Sequence, residues 1–312
     1  MMNFALLFRN YGILLVTILL FVILAVSADG FATERNLRNI LDQQSMVIIA
    51  ASFMTIAIIS GNFDVSVSAV FVTAPLFGLR VENMTGNVFL AVAAALAVGL
   101  LMGAINGFIV TRLKINSFIG TLATSFMFFG AGFLVSSRSL MRPESDVYRL
   151  IARSRFLGLT SATWIAIAVV IIATILLSRT RFGRNVFAVG GNMEAARLAG
   201  VAVNRVQTTA FLLLGVAAAL AGVLNSSRSI SAQPSDDFSF VFAVLTAVIV
   251  GGTSIAGGQG AIWRTTTAAF FLAFLNNGFN LLQIDPIWQR LIEGAVIIMA
   301  VAVDTWTKQR RA

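Results

Sequence analysis

Residues 179–206 read RTRFGRNVFAVGGNMEAARLAGVAVNRV, and apart from one earlier loop they form the longest polar interruption in a largely apolar chain. The stretch carries five arginines and a single acid, Glu194. Asn192 is a suitable N-cap for a short helix that runs through Leu198, and Gly200 suits the left-handed turn that ends such a helix. A short helix on a tight turn beneath a bundle of spans is suited to docking in a groove of another protein. The alternative is an ordinary cytoplasmic loop that happens to contain a helix.

Composition indicates a membrane protein. The chain has 312 residues, of which 58% are hydrophobic and 11% charged, and its apolar runs of more than ~18 residues are typical of membrane spans. It contains no Cys and no His, which removes thiolate nucleophiles, the commonest general base and the commonest metal ligand. We therefore predict no catalytic and no metal site, and an enzyme is disfavoured. The net charge of +9 is scattered among loops and forms no stripe, so positive-inside topology explains it better than nucleic-acid binding does.

The apolar runs predict an all-α polytopic membrane protein, with one domain over residues 1–312 and about ten transmembrane helices of ~20 residues each. The runs are 11–28, 40–59, 69–79, 88–110, 116–136, 164–178, 206–225, 240–250, 263–282 and 287–304. Six precede residues 179–206 and four follow, so both termini lie on the same side as that stretch. The basic tail with Lys308, Arg310 and Arg311 indicates that this side is the cytoplasm. The first run could instead be a cleaved signal peptide, but its length and the many similar runs favour a retained anchor.

A helix break is predicted near residues 60–66, where the second run ends in SGNFDVSVS over residues 60–68. Gly61 and Asn62 interrupt the helix, and the Asp64 carboxylate can cap the next one. An acid so close to hydrocarbon has to face protein or water, and short, Gly-interrupted spans point to a transporter's binding site. Asn62, Asp64 and Ser66 are therefore candidate substrate-pathway residues. The alternative is a polar turn between two spans at the membrane surface.

Two further polar features lie near the end of the chain. The tract GGTSIAGGQG over residues 251–260 lacks the Gly-Lys-Ser/Thr ending of a P-loop, so we expect a flexible or re-entrant connection and no nucleotide site. Asn276 and Asn277 lie inside a predicted span. Paired amides there can bind the hydroxyls of a sugar, or they can join two helices, and for either residue alone the second role is favoured.

The loop over residues 137–161 carries five arginines and only two acids. Span parity places it outside the cell, although longer translocated loops follow the charge rule poorly. A landing surface for a soluble partner is one interpretation, and a solvated loop is the favoured one.

Four stretches resemble one protein family. One resemblance is to the EAA loop of bacterial ABC importer permeases, through which the ATPase subunit binds the membrane subunit. Here Glu194, Ala195 and Ala196 are followed after three residues by Gly200, as in that loop. The longer stretch TRFGRNVFAVGGNMEAARLAGVAVNRV resembles that loop in the monosaccharide permeases of the ribose, xylose, galactose and autoinducer-2 type. Three further stretches resemble the same permeases and occur in the same order. They are residues 60–68, the segment NGFIVTRLKINSFIGTLATSFMFFGAGFLVS and the segment VIVGGTSIAGGQGAIW.

This resemblance implies the membrane-spanning permease subunit of an ATP-binding-cassette importer for a monosaccharide or similar polyhydroxylated solute. The implied partners are an ATP-binding cassette ATPase, a periplasmic sugar-binding protein and a second copy of this or a related permease, all at the bacterial inner membrane. ATP is bound by the partner subunit, so no cofactor is expected on this chain. The ATPase-coupling residues would be Glu194, Ala195, Ala196, Arg197 and Gly200.

The family usually has Gly-Gly-Ile-Asp-Leu-Ser-Val-Gly over residues 61–68, whereas this chain has Asn62 and Ser68 in place of two of the glycines. These replacements weaken the case for close backbone packing at that point.

A different class of function remains open from the residues alone. An ion-coupled secondary transporter or channel needs a titrating or ion-binding group inside the membrane, and Asp64, Glu293 and Asp304 are the candidates. Sparse intramembrane charge favours a neutral cargo, since a charged one would need partners along the path.

Overall fold

The computed structural model describes residues 4–285 and, beyond them, residues 287–289, 291, 292, 294, 295, 298, 299 and 302, with only the backbone described for residues 4–10. Up to residue 285 the chain forms twelve α-helices, a 3₁₀ turn at Asp146–Arg149 and one short hairpin. The helices and strands are α1 Phe4–Ser27, α2 Glu34–Ile59, α3 Val67–Thr85, α4 Val88–Thr111, α5 Ser117–Val135, α6 Leu150–Arg153, β1 Arg155–Phe156, β2 Leu159–Thr160, α7 Ser161–Arg179, α8 Arg181–Gly191, α9 Met193–Leu198, α10 Val203–Ser229, α11 Ser239–Val250 and α12 Ile262–Leu281. The candidate acids Glu293 and Asp304 and the basic tail lie outside the described residues.

The predicted all-α polytopic architecture is confirmed. Five helices of the described chain are long and apolar enough to cross a membrane, namely α2, α4, α5, α7 and α10. Each of the first nine apolar runs in the sequence overlaps one helix of the structure. The number of crossings, about ten, stays a prediction.

Helices α2 and α10 form the centre of the bundle. Every residue of α2 from Ile48 to Ile59 is buried, and α10 packs against α2, α3 and α4. By contrast, α4, α5 and α7 are mostly unburied on their apolar surfaces, as expected for helices that face lipid. Helix α1 packs against α12 through the rings of Phe21 and Phe274, whose centroids are 5.4 Å apart.

Glycines allow α4 and α10 to approach closely. A Cβ built on Gly103 would lie 2.4 Å from the carbonyl oxygen of Phe211, and one on Gly99 would lie 2.5 Å from that of Gly215. Small residues at such positions let helix backbones touch in lipid, where apolar burial no longer drives association. The glycines of α4 therefore serve the packing of α4 on α10.

The loop over residues 137–161 and the stretch over residues 179–206 lie at opposite ends of the bundle. Helix α7 joins the loop over residues 137–161 to the stretch that contains α8 and α9, and its 19 residues span about 28 Å at 1.5 Å per residue. The end that holds the 137–161 loop also holds an isolated β-bridge between Met141 and Ala232. The position of the two segments at opposite ends agrees with the sequence, in which one apolar run, residues 164–178, lies between them.

The loop over residues 137–161 forms a platform that a few buried contacts anchor, although most of its residues are exposed as the sequence predicts. The buried carboxylate of Glu82 accepts hydrogen bonds from the backbone N–H groups of Glu144 and Ser145, at 2.9 and 2.8 Å. Tyr148 is only 1% exposed, and its hydroxyl lies 2.8 Å from the Ser226 hydroxyl on α10. Burial raises the pKa of Tyr148 to about 12, so this phenol stays neutral across the physiological range.

The same platform turns its charge outward. All five arginines of the loop are exposed, namely Arg138, Arg142, Arg149, Arg153 and Arg155. Phe156 and Leu157, at the hairpin, are 67% and 76% exposed. The surface is therefore rigid, basic and partly apolar.

The close contact between α4 and α10 yields a stability prediction. Replacing Gly103 with valine places a branched side chain against the backbone of α10, and overpacking of this kind costs about 1–3 kcal/mol. We expect a lower unfolding temperature of the detergent-solubilised protein. Gly130→Val in α5 is the matched control, since a Cβ there meets no atom within 4 Å. Equal losses for the two variants would show that helix propensity, and not packing, decides the outcome.

Candidate functional site

Helix α2 stops where the sequence predicted. Gly61 has a φ of +86°, its N–H donates to the Ile58 carbonyl at 2.9 Å, and the Asn62 N–H donates to the Ala57 carbonyl at 3.0 Å. These two bonds are those of a Schellman C-cap with glycine in the left-handed position. The chain then runs without helical structure until α3 begins at Val67, so the break predicted near residues 60–66 is present.

Asp64 lies at the centre of a buried hydrogen-bond network in this break. Its Oδ1 accepts the Ser66 N–H at 2.8 Å and the Ser66 hydroxyl at 2.6 Å. The Asn106 amide on α4 donates to the Ser66 Oγ at 2.7 Å and approaches Asp64 Oδ2 at 3.3 Å. Thr124 on α5 in turn donates to Asn106 Oδ1 at 2.7 Å. The carboxylate accepts in each of its own contacts, as an ionised acid does.

The position of Asp64 corrects one detail of the prediction. Ser66, not Asp64, is the N-cap residue of α3, and its side chain does not cap the helix. The Asp64 carboxylate satisfies the Ser66 N–H instead, two residues along, as in an Asx-turn. It supports the start of α3 from outside the helix.

Helix α5 supplies hydroxyl groups that the sequence reasoning missed. The Phe63 N–H donates to Ser117 Oγ at 3.1 Å, and the Val65 N–H donates to Thr121 Oγ1 at 3.0 Å. Hydroxyls of a neighbouring helix thus satisfy the largely buried, non-helical backbone that follows α2. The available signal was the polar spacing of Ser117, Thr121 and Thr124 in an otherwise apolar span.

The two positions that depart from the family pattern are accommodated differently. Asn62 is buried and donates within its own turn, to Ser60 Oγ at 3.3 Å. Ser68 is fully buried, and its Oγ accepts the Val241 N–H in the first turn of α11 at 2.8 Å. A hydroxyl therefore joins α3 to α11 where glycine would have allowed backbone contact alone.

The predicted coupling helix is α9. Asn192 Oδ1 accepts the Ala195 N–H at 2.9 Å, and Gly200 has a φ of +83°, so both predicted capping roles are confirmed. Ala196 is buried against the bundle, whereas Leu198 is 82% exposed. Glu194 and Arg197 are also exposed and form an ion pair of 3.2 Å. The helix therefore presents a small surface that combines charge with an apolar tip.

A second helix, α8, precedes α9 and was not predicted. It buries Gly183, Val186 and Val189 on one face, and its end touches the break after α2. A Cβ built on Gly190 would lie 1.6 Å from the Ile59 carbonyl oxygen, so no other residue fits there without movement.

The Gly-rich tract meets the same point. The Gly258 N–H donates to the Ile59 carbonyl at 2.9 Å, and Gly257 and Gly258 both have positive φ. The helix break, the segment that holds α8 and α9, and the Gly-rich tract are therefore in direct contact. Whether the tract is re-entrant stays a prediction.

The two predicted amides on α12 have different surroundings. Asn277 and Asn36 on α2 exchange reciprocal amide hydrogen bonds of 2.8 and 3.0 Å, which join the two helices. Asn276 lines a cavity of about 160 Å³ between α2, α11 and α12. The candidate residues therefore divide into separate groups: Asp64 with Ser66, Asn62 in its own turn, Asn277 between two helices, and Asn276 at a cavity.

A second cavity of about 200 Å³ lies beside α3 and α10, near the 137–161 platform, and its lining includes Asn225, Ser229 and Gln233. Within the described residues no group of three carboxylate, histidine or cysteine side chains could hold a metal ion.

Comparison with known proteins identifies the relatives of this chain. The family model described as "Branched-chain amino acid transport system / permease component" matches residues 36–301. The L-arabinose transport system permease protein AraH of Escherichia coli (strain K12) is 35% identical over 99% of this chain and 94% of its own length. The ribose import permease protein RbsC of the same strain is 35% identical over 93% and 92%, and that of Bacillus subtilis (strain 168) is 32% identical over 95% and 92%. No solved structure matches.

The buried network around Asp64 yields a prediction for Thr124. Thr124→Val keeps the shape of the side chain but leaves Asn106 Oδ1 without this donor, and an unsatisfied buried acceptor costs about 1–3 kcal/mol. We expect a lower unfolding temperature. Thr266→Val on α12 is the matched control, because Thr266 donates only to the Ile262 carbonyl of its own helix. A loss in the control as large as that in Thr124→Val would argue against the network.

Proposed function

We propose that this chain, which belongs to the branched-chain amino acid transport system / permease component family, is the membrane-spanning subunit of an ATP-driven importer of a monosaccharide or similar polyhydroxylated solute. The observation that carries the proposal is the 35% identity to permeases for L-arabinose and ribose over at least 93% of the chain. Both the central break and the candidate coupling helix lie inside the matched region. As a multi-pass protein of the bacterial inner membrane, the chain would have both termini in the cytoplasm.

The ATPase partner would dock on α9. In support, the helix exposes Glu194, Arg197 and the apolar side chain of Leu198 at one end of the bundle. The buried side chain of Ala196 keeps the helix close to the bundle, Ala195 lies on its exposed side, and Gly200 sets the turn that returns the chain to α10. A helix with charged and apolar side chains on one exposed face is suited to a groove in a partner.

A periplasmic sugar-binding protein would dock at the other end, on the platform over residues 137–161. Buried contacts of Glu82 and Tyr148 anchor the platform, and its exposed surface combines arginines with the apolar side chains of Phe156 and Leu157. A second copy of this or a related permease would complete the pathway, as is usual for importers of this class.

The candidate pathway residues have distinct proposed tasks. Asp64, Ser66 and Asn62 would hold the break open as a fixed polar turn, and Asn277 would join α12 to α2. Asn276, which lines a cavity, would be the candidate among them to meet a solute. The alternative of an ion-coupled secondary transporter would require Asp64 or Glu293 to bind and release a cation or proton.

The docking role of α9 is tested by Gly200→Val combined with a pull-down of the ATPase subunit. Valine strains a backbone with positive φ, so we expect loss of ATPase association and of transport while the permease is still inserted. Glu194→Lys reverses a charge on the same face, and we expect the same loss.

Gly191→Val is the control for the coupling variants. Gly191 is the last residue of α8, a Cβ there meets no atom within 4 Å, and its φ is not in the left-handed region. We expect it to retain ATPase binding. Normal pull-down with Gly200→Val and Glu194→Lys together would contradict the docking role.

The choice between an ATP-driven importer and an ion-coupled transporter is tested at Asp64. Asparagine keeps an acceptor for the two short bonds from Ser66 and gives up only the longer contacts with Asn106, whereas alanine offers no acceptor. We expect Asp64→Asn to retain substantial uptake and Asp64→Ala to lose most of it. The measurement is uptake of radiolabelled sugar in proteoliposomes that contain the ATPase and the binding protein.

In the same proteoliposomes, wild-type uptake should require ATP and survive collapse of ion gradients by ionophores. Abolition of uptake by Asp64→Asn in a well-folded protein, together with uptake by the lone subunit that depends on an ion gradient, would refute the proposed function.

A further inference from the structure

Helix α2 runs through the bundle without an interruption. Its 26 residues, Glu34–Ile59, contain neither glycine nor proline, the residues at which sharp kinks usually occur. Every residue from Ile48 to Ile59 is buried, so this half of the helix lies in a close-packed core. Such a core has low compressibility and transmits strain. A shift imposed at one end of α2 is therefore carried to the other end.

One end of α2 is joined to the platform over residues 137–161. Asp42 Oδ1 accepts the hydroxyl of Thr160, the last residue of β2, and the hydroxyl of Thr163 near the start of α7, at 2.9 Å. Arg38, four residues before Asp42 and on the same helix face, lies against the hairpin, since a Cβ built on Gly158 would be 3.0 Å from its Nη2. This face of α2 therefore holds the hairpin of the platform.

The opposite end of α2 is held by the segment that carries α8 and α9. The Ile59 carbonyl accepts the Gly258 N–H at 2.9 Å, and a Cβ built on Gly190 would lie 1.6 Å from the same oxygen. Helix α9 begins at Met193, three residues after Gly190. From Asp42 to Ile59 the helix rises about 26 Å at 1.5 Å per residue. One helix is thus in contact with the platform and with the segment of the coupling helix.

We propose that α2 carries the effect of docking on the platform to α9, and that Asp42 is the positioning residue that fastens α2 to the platform. A binding protein seated on the hairpin would shift α2 through Asp42, and the Ile59 carbonyl would pass that shift to α8 and α9. Helix shifts of about 1–2 Å are a common form of such transitions. This inference rests on the proposed function, because it takes the platform and α9 as the docking sites of the two partners, and it adds the element that connects them.

Two other helices run between the same ends. Helix α7 leads directly from the hairpin to α8, but it is mostly unburied, so fewer contacts tie it to the core. Helix α3 reaches the platform through Glu82 and contains Pro75, which removes one of its helical hydrogen bonds. Only α2 among the three combines an uninterrupted backbone with a largely buried course. Loss of the Asp42 contacts leaves the backbones of α7 and α3 intact, so substitutions at Asp42 isolate α2.

Asp42→Leu tests the link because it keeps about the size of the side chain and removes the acceptor of both threonine hydroxyls. The measurement is ATP hydrolysis in proteoliposomes that contain the permease and the ATPase, as the concentration of loaded binding protein is raised. The binding protein is loaded from a panel of pentoses and hexoses that includes L-arabinose and D-ribose. We expect maximal stimulation to fall about fivefold or more. Basal hydrolysis and the half-saturating concentration of the binding protein should stay within about twofold of wild type, since α9 and the exposed platform surface are unchanged.

Three further variants separate this link from general destabilisation. Asp42→Asn keeps an acceptor oxygen for both hydroxyls, so we expect it to retain most of the stimulation. Thr163→Val removes one donor and should lower the stimulation in part. Combined with Asp42→Leu, it should cost no more than Asp42→Leu alone, because both act on one contact. Asp29→Leu is the matched control, since Asp29 is an exposed acid between α1 and α2, and it should leave the stimulation unchanged.

A second measurement observes α9 directly and needs no ATPase. The chain has no cysteine, so Leu198→Cys places a single thiol on the exposed tip of α9. In the permease reconstituted alone, we expect loaded binding protein to change the rate at which a thiol reagent modifies this position. The same thiol in an Asp42→Leu background should react at a rate that the binding protein leaves unchanged.

Full stimulation of Asp42→Leu would overturn the role of α2 and leave α7 as the link. A raised half-saturating concentration with full maximal stimulation would show that Asp42 only holds the platform in shape, which also contradicts the proposal. An equal loss in Asp29→Leu, or a thiol rate at position 198 that docking does not change in the otherwise native chain, contradicts it as well. If Asp42→Leu is not inserted, Thr163→Val decides, and full stimulation there overturns the link.

Failure of the proposed function has a different signature. If the wild-type complex imports no sugar and its ATP hydrolysis does not respond to loaded binding protein, the proposed function is wrong and this inference falls with it. If the wild type responds and Asp42→Leu responds equally, only the role of α2 is wrong.

Discussion

The structure depends on the need to satisfy the backbone groups that follow the end of α2, since most of residues 60–68 are buried. A buried carbonyl or N–H without a partner costs free energy comparable to a lost hydrogen bond. The Gly61 turn satisfies two carbonyls locally, and the Gly258 N–H satisfies that of Ile59. Beyond the break, hydroxyls of Ser117 and Thr121 take the N–H groups of the non-helical chain. Distant parts of the sequence are thereby brought to one point.

This requirement also fixes where the coupling segment lies. Gly190 at the end of α8 and the Gly-rich tract pack directly on the Ile59 carbonyl, and a Cβ at Gly190 would overlap that oxygen. Helix α9 follows α8 after a single residue, Asn192. A partner that displaced α9 would therefore also act on the helix break after α2, because the backbone of α8 is in direct contact with the Ile59 carbonyl.

Local signals were sufficient for most helix boundaries. Gly61, Asn192 and Gly200 act within a few residues of their own positions, and each takes the predicted role. The network of Asp64 with Asn106 and Thr124 could not be read in this way, because it joins residues 18 to 42 positions apart. Helix α8 was missed because its short buried face lies in a stretch that reads as polar. The platform over residues 137–161 was missed because Glu82 and Tyr148 look like ordinary loop residues until their partners are known.

The adjacent amides of α12, Asn276 and Asn277, show most clearly what the sequence alone cannot predict. Consecutive residues on a helix point about 100° apart, so Asn276 and Asn277 cannot serve the same neighbour. The sequence alone offers both roles, binding a solute or joining helices, to either residue. Only the direction from which α2 approaches decides that Asn277 meets Asn36, while Asn276 lines the cavity between α2, α11 and α12. The sequence could not make this distinction, because it depends on how helices that are far apart in the chain pack together.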